Sequence, residues 1–184
     1  MKQASDQLSE GQFEEAVETF SASLAVRPKI ATALRGRGLA HLQLKQWAQA
    51  AADFDAARIL IPDDAENWID LGISLARDDR IYPAIEVFET LLAKQPECAR
   101  GHLELGMLHL RLGAIPKGRE HLKQALTFHP TLEQRRFIEA ALHEQDRLDR
   151  KRFYRPDFEA LHHQQRSTPS PSWIQRLREL FTSR

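Results

Sequence analysis

Apolar residues recur along most of this chain at spacings of three and four, the period of one face of an α-helix. Between residues 65 and 98 the pattern is clearest. Trp68, Leu71 and Leu75 share one face, and Ala84, Val87, Phe88 and Leu91 share the face of a following segment. The pattern predicts two helices joined by a short turn. Pro96 ends the second, because proline cannot continue the hydrogen-bond ladder. The stretch Asp63–Asp64–Ala65–Glu66 offers an N-cap and an acidic first turn for the first.

This unit repeats. Pro28, Pro62, Pro96 and Pro130 are each 34 residues apart. At the same step run Ala16, Ala50, Ala84 and Gly118; Phe20, Phe54, Phe88 and Leu122; and Ser23, Ala57, Leu91 and Ala125. A small-residue series (Ala4, Gly38, Gly72, Gly106) and a bulky one (Phe13, Trp47, Ile81, Ile115) follow it too. The small positions let paired helices approach, and the bulky ones fill the space beside them.

A 34-residue helix–turn–helix unit of this kind resembles the tetratricopeptide repeat family. The third unit, with Trp68, Leu71, Gly72, Ala84, Phe88 and Pro96, matches its signature closely. The resemblance covers residues 1–130 and implies an all-α, right-handed superhelical solenoid. Its units are 1–30, with a truncated first helix, then 31–64, 65–98 and 99–130. His41 and His109 stand where the family usually has Tyr, and His102 where it prefers Trp. Gln3 to Leu8 is expected as a short, polar, frayed turn. That leaves the N-terminal edge poorly covered and open to self-association.

Residues 131–148 break the period and are expected to form a C-terminal capping helix, since a repeat array needs its last apolar face shielded. Thr131 to Gln134 reads as a capping box. Phe137, Ile138, Ala141, Leu142 and Leu148 are expected to form its apolar stripe. Residues 149–171 are a basic connector and linker. Residues 172–184 are expected to form an amphipathic helix with Trp173, Ile174, Leu177, Leu180 and Phe181 on one side. So short a helix needs a surface. Its own groove, a separate partner, or an anionic membrane contacted weakly would each serve. A tail held in the groove would compete with the true ligand.

The resemblance implies that partners bind along the first helix of each pair. The positions concerned are Arg35, Leu39 and Leu42 in the second unit. The third unit contributes Glu66, Ile69, Asp70, Ile73 and Arg77. The fourth contributes Arg100, Leu103, Glu104, Met107, Leu110 and Arg111. The apolar members make a stripe with a charged fringe, a surface expected to be covered by a helix or peptide. Family members that grip the C-terminal carboxylate of a heat-shock chaperone use Lys and Asn. The matching positions hold Met1, Ser5, Gly36, Glu66 and Asp70, so that ligand is not expected.

Charge is unevenly placed. Residues 1–146 carry 17 Lys and Arg against 22 Asp and Glu, whereas residues 147–184 carry 9 against 4. An acidic body is a poor nucleic-acid binder. The first 15 residues hold no apolar run, no segment reaches the ~20 apolar residues of a membrane span, and Cys98 is the only cysteine. A cytoplasmic setting is the simplest expectation. Eight histidines form no metal-ligand pattern, and phosphate loops, nucleophile elbows and dinucleotide fingerprints are absent, so neither cofactor nor catalysis is expected. The expected function is a non-catalytic adaptor, assembly factor or chaperone-like scaffold. The alternative is a peripheral membrane scaffold with the C-terminal helix as its foot.

Overall fold

The computed structural model describes residues 2–153. Among them are nine helices and no strand: α1 (Lys2–Ser9), α2 (Phe13–Val26), α3 (Ala31–Gln43), α4 (Trp47–Leu60), α5 (Ala65–Arg77), α6 (Ile81–Lys94), α7 (Ala99–Arg111), α8 (Ile115–Thr127) and α9 (Leu132–Phe153). In residues 1–142, each helix from α1 to α7 packs on the next in sequence, and α8 on α7. The first helices also meet directly, α1 on α3 and α5 on α7.

The repeat is visible in the backbone. Gly11, Lys45, Asp79 and Gly113, one at each turn within a hairpin, all have positive φ, between 58° and 80°. In each, the following amide bonds five residues back, as Gln46 N donates to His41 O and Arg80 N to Leu75 O. This is a helix C-terminal motif that needs a left-handed residue. Glycine takes that conformation without strain; Lys45 and Asp79 take it at a cost.

The small series works by steric necessity. A Cβ at Gly38 would lie 2.9 Å from the Phe54 ring, and one at Gly72 would run into Phe88. The far ends of the phenyl rings fill the space beside the glycines, and both rings are buried, as are the alanines Ala16, Ala50 and Ala84. Asp64 caps α5 by accepting from Glu66 N at 3.1 Å, and Cys98 sulfur takes the same place at α7, accepting from Gly101 N at 3.4 Å.

Two helices differ from the sequence reading. Lys2–Ser9 is a full helix rather than a frayed turn, because Ala4 is buried against α2 and Leu8 and Val17 pack beside it. At the other end, α9 starts 33 residues after α7, so it continues the period in the position of a first helix. Thr131 and Gln134 form both halves of the capping box, at 2.9 and 3.2 Å. Ile138 is fully buried with Leu103, Leu122 and Ala125, and Ala141 and Leu142 pack against them. Phe137 and Leu148, placed in the same stripe by sequence, are 52% and 45% exposed. At about 100° per residue they sit roughly 80–100° off the buried face. The helix also runs to Phe153, five residues past the expected end, since no Gly or Pro interrupts it. In residues 143–153 an exposed Glu144–Arg147 pair supports it.

Candidate functional site

The first helices α3, α5 and α7 carry the predicted groove positions, and their charged members form a ladder across units. Arg35 donates from Nε and Nη2 to Asp70 Oδ2 at 3.3 and 3.2 Å. Its guanidinium also lies 3.6 Å from Glu66. Arg100 Nη1 donates to Glu66 Oε2 at 2.7 Å. Arg111 bonds Asp79 Oδ1 at 2.7 Å and the Ala76 carbonyl at 3.1 Å. Arg77 is exposed, and no hydrogen bond joins it to another described residue. Thus Glu66 and Asp70, at two positions where a carboxylate-gripping relative needs cations or amides, are anions already held by Arg35 and Arg100.

The apolar members are more enclosed than an open stripe. Ile69 is 1% exposed and Leu103 is also buried. Leu39, Leu42 and Ile73 are half-buried against the cluster of α4 to α7. Met107 and Leu110 are half-buried against Leu122 and Ile138. What this face presents is a row of apolar edges between ionic rungs. Trp173, Ile174, Leu177, Leu180 and Phe181 lie outside the described residues.

Two carboxyl groups on this face are perturbed. Burial raises Asp70 above the usual carboxylate range, although Arg35 and Arg100 pull it down. Burial likewise raises Glu104 against the pull of Arg100 and Arg77. Desolvated acids on a binding face are functional candidates. Asp70 and Glu104 are 34 residues apart, a repeat-related pair legible in the sequence; their desolvation was not.

Sequence reasoning missed two further features. A cleft of about 480 Å³ opens on the opposite side, between α4 and α6, with Trp68, Leu71 and Leu75 as its floor. It exists because Ala48, Ala51 and Ala52 stand where α6 has Tyr82, Ile85 and Glu86. The second feature is a histidine stack. His102 lies 5.4 Å from His121 and from Phe128 between ring centres, and His109 lies 5.6 Å from His121. Among the described residues no group of three or more His, Cys, Asp or Glu could hold a metal ion, and no helix is long and apolar enough to cross a membrane.

Comparison with known proteins agrees with the repeat. The peroxisomal targeting signal receptor of Candida albicans is 30% identical over 94 residues, which are 51% of this chain and 16% of the receptor. The chain therefore aligns with under a fifth of that relative's length. A solved tetratricopeptide repeat protein of the thermophile Thermus thermophilus superposes with a TM-score of 0.67 at 21% identity, over 81% of this chain and 82% of that one. The second such domain of human RPAP3, solved with the HSP70 peptide SGPTIEEVD, gives 0.55 at 21% identity, over 58% and 89%. The tetratricopeptide repeat profile matches residues 1–65 and 69–133, well over half the chain. With the period, the hairpins and this match in agreement, the chain belongs to the tetratricopeptide repeat family.

Proposed function

We propose that this chain is a non-catalytic adaptor that holds a segment of another protein along the face shared by α3, α5 and α7. The observation that carries the reading is the alternation on that face of ionic rungs, Arg35–Asp70 and Arg100–Glu66, with half-buried apolar edges at Leu39, Ile73 and Met107. Apolar contact supplies affinity, and fixed charges select orientation and partner. The precedents are a relative named as a receptor for a targeting signal and a structural neighbour solved with a peptide. An acidic peptide like that neighbour's suits this face poorly, because Glu66 and Asp70 would repel it.

Affinity capture with the full chain tests the reading. Ile73→Asp should lose its specific partner, with binding weakened at least about tenfold, the effect of roughly 1.4 kcal/mol. Tyr82→Asp, on the exposed side of α6, should retain it. Equal capture by both variants would move the binding surface elsewhere.

A further inference from the structure

One pair of positions on neighbouring first helices recurs at a fixed step of 35 residues, and the chain fills it in three ways. Between α3 and α5 it is Arg35 with Asp70, a hydrogen-bonded ion pair. Between α7 and α9 it is Leu103 with Ile138, both buried in one apolar cluster. Between α5 and α7 the same step in sequence gives Ile69 and Glu104. Each outer pair matches; at the middle one the position equivalent to Arg35 holds an isoleucine, which has nothing to donate to a carboxylate.

The side chains around Glu104 do not repair the mismatch. Arg100, one turn earlier on α7, gives its hydrogen bond to Glu66. Arg77 and Arg100 act on Glu104 only through space, and burial outweighs them. Glu104 accepts no hydrogen bond from another described residue. A half-buried acceptor without a donor is costly to keep, and a repeat protein could remove it by placing Leu or Gln there. Functional sites are where such local conflicts persist.

We infer that Glu104 is a specificity residue, and that the partner segment carries an arginine or lysine whose N–H groups take the place Arg35 holds one unit earlier. The inference rests on the adaptor reading and narrows it to a basic residue flanked by apolar ones. Ile73 and Met107, on the same face, suit the flanking residues. The excess of acid in residues 1–146, 22 Asp and Glu against 17 Lys and Arg, favours the same sign of ligand.

The probe is a displayed library of random dodecapeptides panned against the full chain, against Glu104→Gln, which keeps the shape, and against Ile73→Asp. The wild-type chain should enrich peptides with Arg or Lys beside apolar residues. Glu104→Gln should still enrich apolar peptides but lose the basic preference, and should weaken the best basic peptide about tenfold. A basic preference that survives Glu104→Gln, or an enriched pool without one, overturns this inference and leaves the adaptor reading standing. Enrichment no greater on the wild type than on Ile73→Asp overturns both. A second measurement needs no ligand: Glu104→Gln should raise Tm by a few °C, because it removes a desolvated charge. A fall in Tm would mean that the carboxylate is satisfied within the chain, and the inference would fail.

Discussion

The third and fourth hairpins, α5–α6 and α7–α8, occupy the same backbone yet solve their packing with different chemistry. Trp68 donates its indole N–H to the Pro62 carbonyl at 2.8 Å. Its repeat equivalent, His102, places Nε2 2.9 Å from the Pro96 carbonyl. The slot is one slot: a ring whose edge nitrogen satisfies the carbonyl of the loop proline. What lies over the ring differs. Arg58 and Lys94 stack on Trp68 at 4.4 and 4.9 Å, a cation–π arrangement. His102 is stacked with His121 and Phe128. The next positions diverge likewise. The third unit has Leu75 and Val87 where the fourth has His109 and His121, and where the second has His41 near Asp53 at 3.8 Å. Backbone geometry fixes which positions meet, while the residues that fill them decide whether the contact is greasy, ionic or titratable.

The largest expected difference between the hairpins comes from their apolar keystones. Phe88 belongs to the cluster that runs from α4 to α7, whereas Leu122 belongs to the smaller cluster of α7, α8 and α9. Phe88→Ala should cost about 3–5 kcal/mol and Leu122→Ala about 2–5 kcal/mol. Their reach separates them better than their size, since repeat arrays unfold by neighbouring units. Hydrogen exchange should show Phe88→Ala weakening protection from α4 to α7, and Leu122→Ala only from α7 onward. Loss across the whole array from either change would mean that the clusters unfold as one.

Much of this is legible in the residues. The 34-residue step locates the hairpins, and the small and aromatic series name which side chains touch. Four things are not. The turn residues Gly11, Lys45, Asp79 and Gly113 share a conformation but not a residue type, so no composition signal marks them. Helix α9 reads as a break in the period because its consensus residues are gone while its register persists. The face of α3, α5 and α7 reads as an apolar stripe when each helix is taken alone. Side chains of Ile69 and Leu103 are enclosed in the stacked array, which only the stack reveals. The ionic rungs need pairing across units: Arg35 meets a residue 35 positions away, a step that a 34-residue alignment does not display, and Glu66 and Arg100, 34 apart, share one column in which opposite charges do not announce a contact.

A smaller effect is expected from the ring nitrogens themselves. Trp68→Phe keeps the apolar contact but strands the Pro62 carbonyl, and should cost about 0.5–1.5 kcal/mol by denaturant midpoint. His102→Phe strands the Pro96 carbonyl in the same way and should cost a similar amount. A much larger cost at His102 would show that its link to His121 also stabilises the fourth hairpin.

The smallest and most telling difference is in response to acid. The Pro96 carbonyl can only accept, so His102 carries its proton on Nε2. Its Nδ1 then accepts from His121 Nδ1–H across 3.1 Å. Burial, then His102 and His109, lowers the His121 pKa, opposed by Glu120 and Glu89. Burial, then Lys117, lowers His109, opposed by Glu89. With folded values below the ordinary 6.5 or so, the unfolded hairpin takes up protons that the folded one refuses. The stabilisation is complete above that pH and is lost as pH falls from it through the folded values. Asp70 and Glu104, whose folded values are raised, act in the opposite direction as they protonate. Hydrogen exchange at pH 7.5 and 5.5, corrected for intrinsic rates, should therefore show α7–α8 loosening more than α5–α6. His121→Val, which installs the residue of the third unit, should remove the excess. Loosening that survives His121→Val would place the acid response outside the histidine stack, and the two hairpins would then differ in packing alone.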